Sequence, residues 1–203
     1  MNDRAQELIA AASEIDPQTL QTAIAAIDVN CWEYLRWAEL FSCRLESVAP
    51  GELHKFARAL SLTLLGHLPT RPGTCPFCIQ YDRDRACAGC GYAATHGRCD
   101  EDDSAFSRFI ESFQELGRVI YQDTEGRSID PGHAREFLRQ SLMISKNTAQ
   151  KMQANLSCVS ALQLMELKAN YLSDMIGILS VRFFSYEVEN KYNLVIENLK
   201  NYW

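Results

Sequence analysis

No run of 18 uncharged apolar residues occurs anywhere in this 203-residue chain, so no segment reads as a membrane-spanning helix. The longest apolar window, residues 171–184, is interrupted by Asp174 and Arg182. A basic start followed by a long apolar stretch is missing too, and the expectation is a cytoplasmic protein whose thiols stay reduced. Basic residues are in deficit: 20 Lys and Arg stand against 26 Asp and Glu, a formal net charge of -6. That argues against a general nucleic-acid binder, which carries a basic excess or a basic face. No glycine-rich phosphate loop, dinucleotide fingerprint or nucleophile elbow occurs. Strand-like alternation is also lacking. With 47% hydrophobic and 23% charged residues, the chain has the means to build a real core.

What is present is helical nearly throughout. "NDRAQELIAAASEI" is rich in Ala, Leu and Glu, with Asn2 or Asp3 as a cap. "DPQTLQTAIAAID" opens with Asp16 as cap and Pro17 at the first helical position, where a missing N–H costs nothing. "CWEYLRWAELFSCRL" carries a stripe through Tyr34, Trp37, Ala38, Phe41 and Leu45 and predicts a third helix. A fourth starts after Pro50. Asp103 or Ser104 caps a segment where Phe106, Phe109, Ile110, Phe113, Leu116 and Ile120 recur at helical spacing. Asp130-Pro131 starts another helix. From Gly132 onward only Gly177 and no proline interrupts the chain, which predicts two or three helices with breaks near Lys146–Asn147, Asn170 and Asn190. The expected fold is an all-α helical bundle with a Cys-rich metal-binding loop inserted between helices. Residues 1–68 supply N-terminal helices, 69–103 the insertion and 104–203 a C-terminal bundle, together one compact unit.

The insertion holds five of the eight cysteines. Cys75-x2-Cys78 and Cys87-x2-Cys90 are separated by eight residues, and eight more lead to Cys99. A C-x-x-C pair brings two sulfurs to one point, and two such pairs this close point to metal. Gly91 after Cys90 suits a knuckle that needs a left-handed residue. "CAGCGY" resembles the knuckles of zinc ribbons and rubredoxins, while "CPFC" is followed by Ile79 in place of that glycine. Tetrahedral Zn2+ on Cys75, Cys78, Cys87 and Cys90 is the leading expectation. A [4Fe-4S] cluster is the alternative, with Cys99 as an added or replacement ligand and Phe77 and Ala88 as apolar spacers. Cys87, Cys90, His96 and Cys99 make a further four-ligand set. Disulfides and a reactive dithiol rank last.

Outside the insertion, Cys31, Cys43 and Cys158 read as core residues and His67 as a helix-end histidine. His54 has no Ser, Asp or Cys pattern beside it in sequence. His133 and Glu136 form one reversed Glu-x-x-His, where a di-metal bundle needs two copies and more acids. Arg71, Arg83, Arg85 and Arg98 with Tyr81 and Tyr92 would suit phosphate and base contacts, but Asp82, Asp84 and "DEDD" at 100–103 oppose them. No catalytic constellation emerges, and the reading leans away from an enzyme. The expectation is an interaction or regulatory module with a structural zinc site, meeting a protein partner or a second copy through its C-terminal helices. Its rival is an iron–sulfur electron-transfer or redox-sensing protein using the same cysteines.

Overall fold

A computed structural model describes residues 3–81, 87, 89–99 and 101–202, and the side chains of Asp3, Arg4, His96, Asn201 and Tyr202 are outside that description. Asn2, Asp82, Arg83, Asp84, Arg85, Ala88 and Asp100, named above, also lie outside the described residues. Among the described residues the regular structure is helical and no strand occurs.

Helix starts follow the capping chemistry of the sequence. Helix α1 spans Asp3–Ser13 and α2 spans Pro17–Leu45, with the Asp16 carboxylate accepting from the amides of Gln18 and Thr19. After a 3-10 turn at Pro50–Glu52 comes α3, Leu53–Gly66. The short helices α4 (Pro76–Tyr81) and α5 (Gly91–His96) lie in the Cys-rich segment. Ser104 caps α6 (Ala105–Gln122), and Asp130 caps α7 (Pro131–Asn155). Helix α8 (Ala161–Gly177) opens with a reciprocal capping box between Ser160 and Gln163. A 3-10 turn at Val181–Phe183 leads into α9, Tyr186–Tyr202.

Three expectations need correction. The two helices read over residues 16–45 are one, because nothing between Asp28 and Cys31 breaks a helix and one buried row crosses the junction. That row runs Ala23, Ile27, Cys31, Tyr34, Ala38. Lys146–Asn147, Asn170 and Asn190 break nothing, since the buried stripes of α7, α8 and α9 pass straight through them. The chain turns instead at residues 156–160, where Cys158 takes a left-handed φ of 60°, and after Gly177. Finally, residues 69–103 are not a structureless loop. A 3-10 turn at Pro72–Thr74 and the helices α4 and α5 order its described parts.

The main core lies between α2, α3, α6, α7, α8 and α9, so helices from both ends of the chain share it. Helix α2 packs along α7, and α6 along α9. The Tyr34 hydroxyl donates to Ser145 Oγ at 2.6 Å across the first pair. His54 pairs with the buried carboxylate of Asp123 at 2.8 Å, and Asp123 also accepts from the Ser185 amide. A second, smaller core joins Ala11 and Ile15 near α1 to Phe77 and Tyr81 of α4, Tyr92 of α5, and Ala161 and Met165 of α8. Cys75 belongs to it as well. Gln80 fastens α4 to the α1–α2 corner by donating to the Glu14 carbonyl (2.7 Å) and accepting from the Asp16 amide (2.8 Å).

Candidate metal centre

Cys75 and Cys78 sit at the mouth and first turn of α4, with Pro76 starting the helix between them. The Ile79 amide donates to the Cys75 carbonyl at 3.0 Å, so one helical turn, not a loop knuckle, places the two sulfurs on the same face. "CAGC" is a turn: the Cys90 amide donates to the Cys87 carbonyl at 3.1 Å. Its left-handed residues are Cys87 (φ 61°) and Gly89 (φ 80°), not Gly91, which has already entered α5. Glycine is needed at 91 for a different reason. A Cβ there would stand 2.3 Å from the Glu7 carbonyl oxygen and 2.7 Å from the Ala11 side chain, so α1 and α5 meet backbone to backbone. The Cys87 amide donates to the Tyr81 carbonyl at 3.2 Å and closes the base of the segment between the two pairs. Cys90 is the N-cap residue of α5, with the amides of Ala93 and Tyr92 facing its sulfur short of a full capping bond. Gly97, at φ 80°, then turns the chain back and delivers Cys99.

These turns set Cys75 beside Cys78 and Cys78 beside Cys99, near enough for each pair to influence the other's protonation. Cys90 is electrostatically coupled to Cys75. Facing them is a residue that the cysteine spacing does not reveal, Lys168 of α8. Its side chain is buried, and its charge is coupled to Cys75, Cys78 and Cys99. Among the described residues it forms no ion pair with a carboxylate.

Burial and charge set the protonation of the group. Contact with Cys78 and burial push the Cys75 thiol well above the usual cysteine range. The bond to Cys75 lowers Cys78, but the contact with Cys99 and burial outweigh it and lift this thiol to about 12. Burial raises Cys90 against the pull of the two amides. Burial likewise lowers Lys168, while the nearby thiols oppose that shift. As free thiols these cysteines are poor nucleophiles, since the thiolate is the reactive form. Among the described residues no three or more Cys, His, Asp or Glu side chains stand in ligand positions around one point.

The other candidates have local partners. His67, the residue capping the end of α3, bonds through Nδ1 to the Thr63 carbonyl at 2.7 Å. His133 is exposed beside its own cap Asp130, and Glu136 pairs with Arg139 and not with His133. Cys31 is a core residue as expected, whereas Cys43 and Cys158 are exposed. No helix of the described residues is long and apolar enough to cross a membrane. Compared with known proteins, the chain matches no family model, no curated protein and no solved structure.

Proposed function

We propose that this protein is a non-enzymatic, metal-stabilised helical module in which a thiolate-bound zinc ion ties α1, α4 and α5 to the bundle. One observation supports the reading: Cys75, Cys78 and Cys99 interact with one another and with the buried side chain of Lys168. Three thiols and a lysine with no carboxylate beside it among the described residues are a poor way to fill a protein interior, because each charged form costs desolvation. A metal removes the difficulty. It displaces the thiol protons, and four thiolates around Zn2+ leave a net charge of about -2 that a buried ammonium offsets. Cys90, coupled to Cys75, and Cys87 are the candidates for the fourth donor. The donors are all sulfur, as in four-cysteine structural zinc sites and in [4Fe-4S] clusters held by four cysteines. Reduced thiols place such a site in a reducing compartment such as the cytoplasm.

The second reading, a [4Fe-4S] cluster with an electron-transfer or redox-sensing role, draws on the same sulfurs and on their setting. They are carried by short helices and an apolar pocket with Phe77 and Tyr92 beside them, where zinc ribbons use β-hairpins. Elemental analysis and a visible spectrum on protein purified without oxygen separate the two. About one zinc per chain and no colour is the expected result. Several irons with acid-labile sulfide establish the redox reading, and neither metal removes both. Single serine variants of Cys87, Cys90 and Cys99 then assign the ligands: each variant that loses the metal marks one, and loss in Cys87→Ser but not in Cys99→Ser gives the set expected from spacing.

A further inference from the structure

The C-terminal helix, expected to meet a partner, already has its apolar face in use. Val188, Val195 and Leu199 of α9 are buried in the main core, where α9 lies along α6. Tyr186 and Leu194 of α9 are exposed, but a group of four exposed apolar residues lies on the outer face of α2. Val29, Trp32, Trp37 and Leu40 are 49–53% exposed, where the opposite face of the same helix is fully buried. Glu33 and Arg36, both exposed, stand among them.

The order of these six residues is symmetric about the Tyr34–Leu35 peptide bond. Val29 mirrors Leu40, Trp32 mirrors Trp37, and Glu33 mirrors Arg36. Val29, Glu33, Arg36 and Leu40 follow the 4-3-4 spacing of a coiled-coil seam, while Trp32 and Trp37 flank that seam on either side. A two-fold axis perpendicular to α2 therefore matches the face to itself. In the antiparallel pair, Val29 meets Leu40 of the second copy and Leu40 its Val29. Glu33 meets the second Arg36, and Arg36 the second Glu33. The two Trp32 rings close one side and the two Trp37 rings the other. Self-matching of this kind is what a closed dimer demands of its surface, with residue i on j and j on i. The opposite charges at the centre select this register, since a shift by one heptad breaks both pairs. Glu33, Arg36, Trp37 and Leu40 with His67 line an open groove at the side of the helix. Arg36 already lies over Trp32, 4.9 Å from the ring centre, which holds the aromatic flank in place.

We propose that the chain forms a two-fold dimer through antiparallel contact of α2 with α2 of a second copy, registered by two reciprocal Glu33–Arg36 pairs. The proposal stands apart from the cysteine centre. The face is short, about 17 Å of helix, so the dimer is one that dissociates at micromolar concentration. The test is sedimentation equilibrium on the full chain as purified, over about 1 to 200 µM. Mass should rise from one chain to two across that range. Glu33→Arg sets like charges against each other twice and should raise the dissociation constant more than about tenfold. Adding Arg36→Glu to that variant reverses both charges and should restore dimerisation to within about threefold of the parent. Both positions are exposed, so unchanged circular dichroism verifies that the protomer is intact. A monomer at every concentration overturns the proposal, as does a dimer indifferent to Glu33→Arg or one the double reversal fails to restore.

Discussion

Lys168 is the single residue whose environment calls most for an explanation. It falls on the apolar stripe of α8, between Leu164, Met165 and Leu172, so the helix cannot turn it to water without exposing its own core face. A buried ammonium facing neutral thiols is destabilising, whereas one facing a tetrathiolate anion is stabilising. Lys168→Met keeps the volume and removes the charge. In a chelator competition it should weaken metal binding about 10- to 100-fold, the size of effect usual for a partner just outside the ligands. The metal-free protein should melt no lower than the parent. Unaltered metal affinity would show that the lysine has no part in the site. Its signal was present in the sequence, as a lysine recurring in phase with apolar residues three and four apart, but it lies 69 positions beyond Cys99 and only folding joins them.

At the scale of elements, the Cys-rich segment depends on how closely α5 can approach α1. The contact is set by Gly91, where an added methyl group collides with the Glu7 backbone and Ala11. Backbone cannot rotate away as a side chain can, so Gly91→Ala must push α1 and α5 apart. A loss of about 1–3 kcal/mol is expected, read as a lower melting temperature. Gly73→Ala is the control, since a methyl group there meets nothing within 4 Å, and it should melt close to the parent. Equal behaviour of the two variants would mean that α1 is not seated on α5 in solution. The need for glycine at 91 is legible as a glycine after "CAGC", yet its reason is not. A left-handed turn and a close approach both ask for glycine, and the first was the natural inference from a knuckle. The long α2 shows the same limit. Periodicity placed Tyr34, Ala38 and Leu45 on its buried face but also Trp37, which faces outward, and whether two helical stretches join depends on whether one core runs beneath both.

The whole molecule has two centres of burial of unequal resources. The main core draws on six helices and large side chains such as Tyr34, Phe109, Phe184 and Leu138, all fully buried. The smaller one rests on Phe77, Tyr81, Tyr92, Met165 and a few small residues. A core of that size is marginal unless something else holds it, and structural zinc supplies a binding free energy of about 10–16 kcal/mol. Removing the metal should therefore act in two stages. With a chelator present, amide exchange should accelerate in α1, α4 and α5 while α2, α6, α7 and α9 stay protected. Protease should cut first within residues 3–16 or 69–104. Uniform loosening of the molecule would contradict the division, and full protection would mean the small core stands without metal.

The sequence by itself determined the helical class, three of the helix starts and the place of the sulfur donors. Asp16-Pro17, Ser104 and Asp130-Pro131 act through hydrogen bonds to amides two or three residues away, and such chemistry needs no knowledge of the rest of the chain. The C-x-x-C pairs are local in the same sense. Only the tertiary structure decided where long helices end, which sulfurs meet and what charge faces them. Helix ends at residues 155 and 177 answer to the length of core each helix covers, and Cys99 reaches Cys78 through Gly97 and the packing of α5 on α1. Lys168 joins them because α8 must bury its apolar face against the same small core. Burial is a sum over partners distant in sequence, and no local pattern contains that sum.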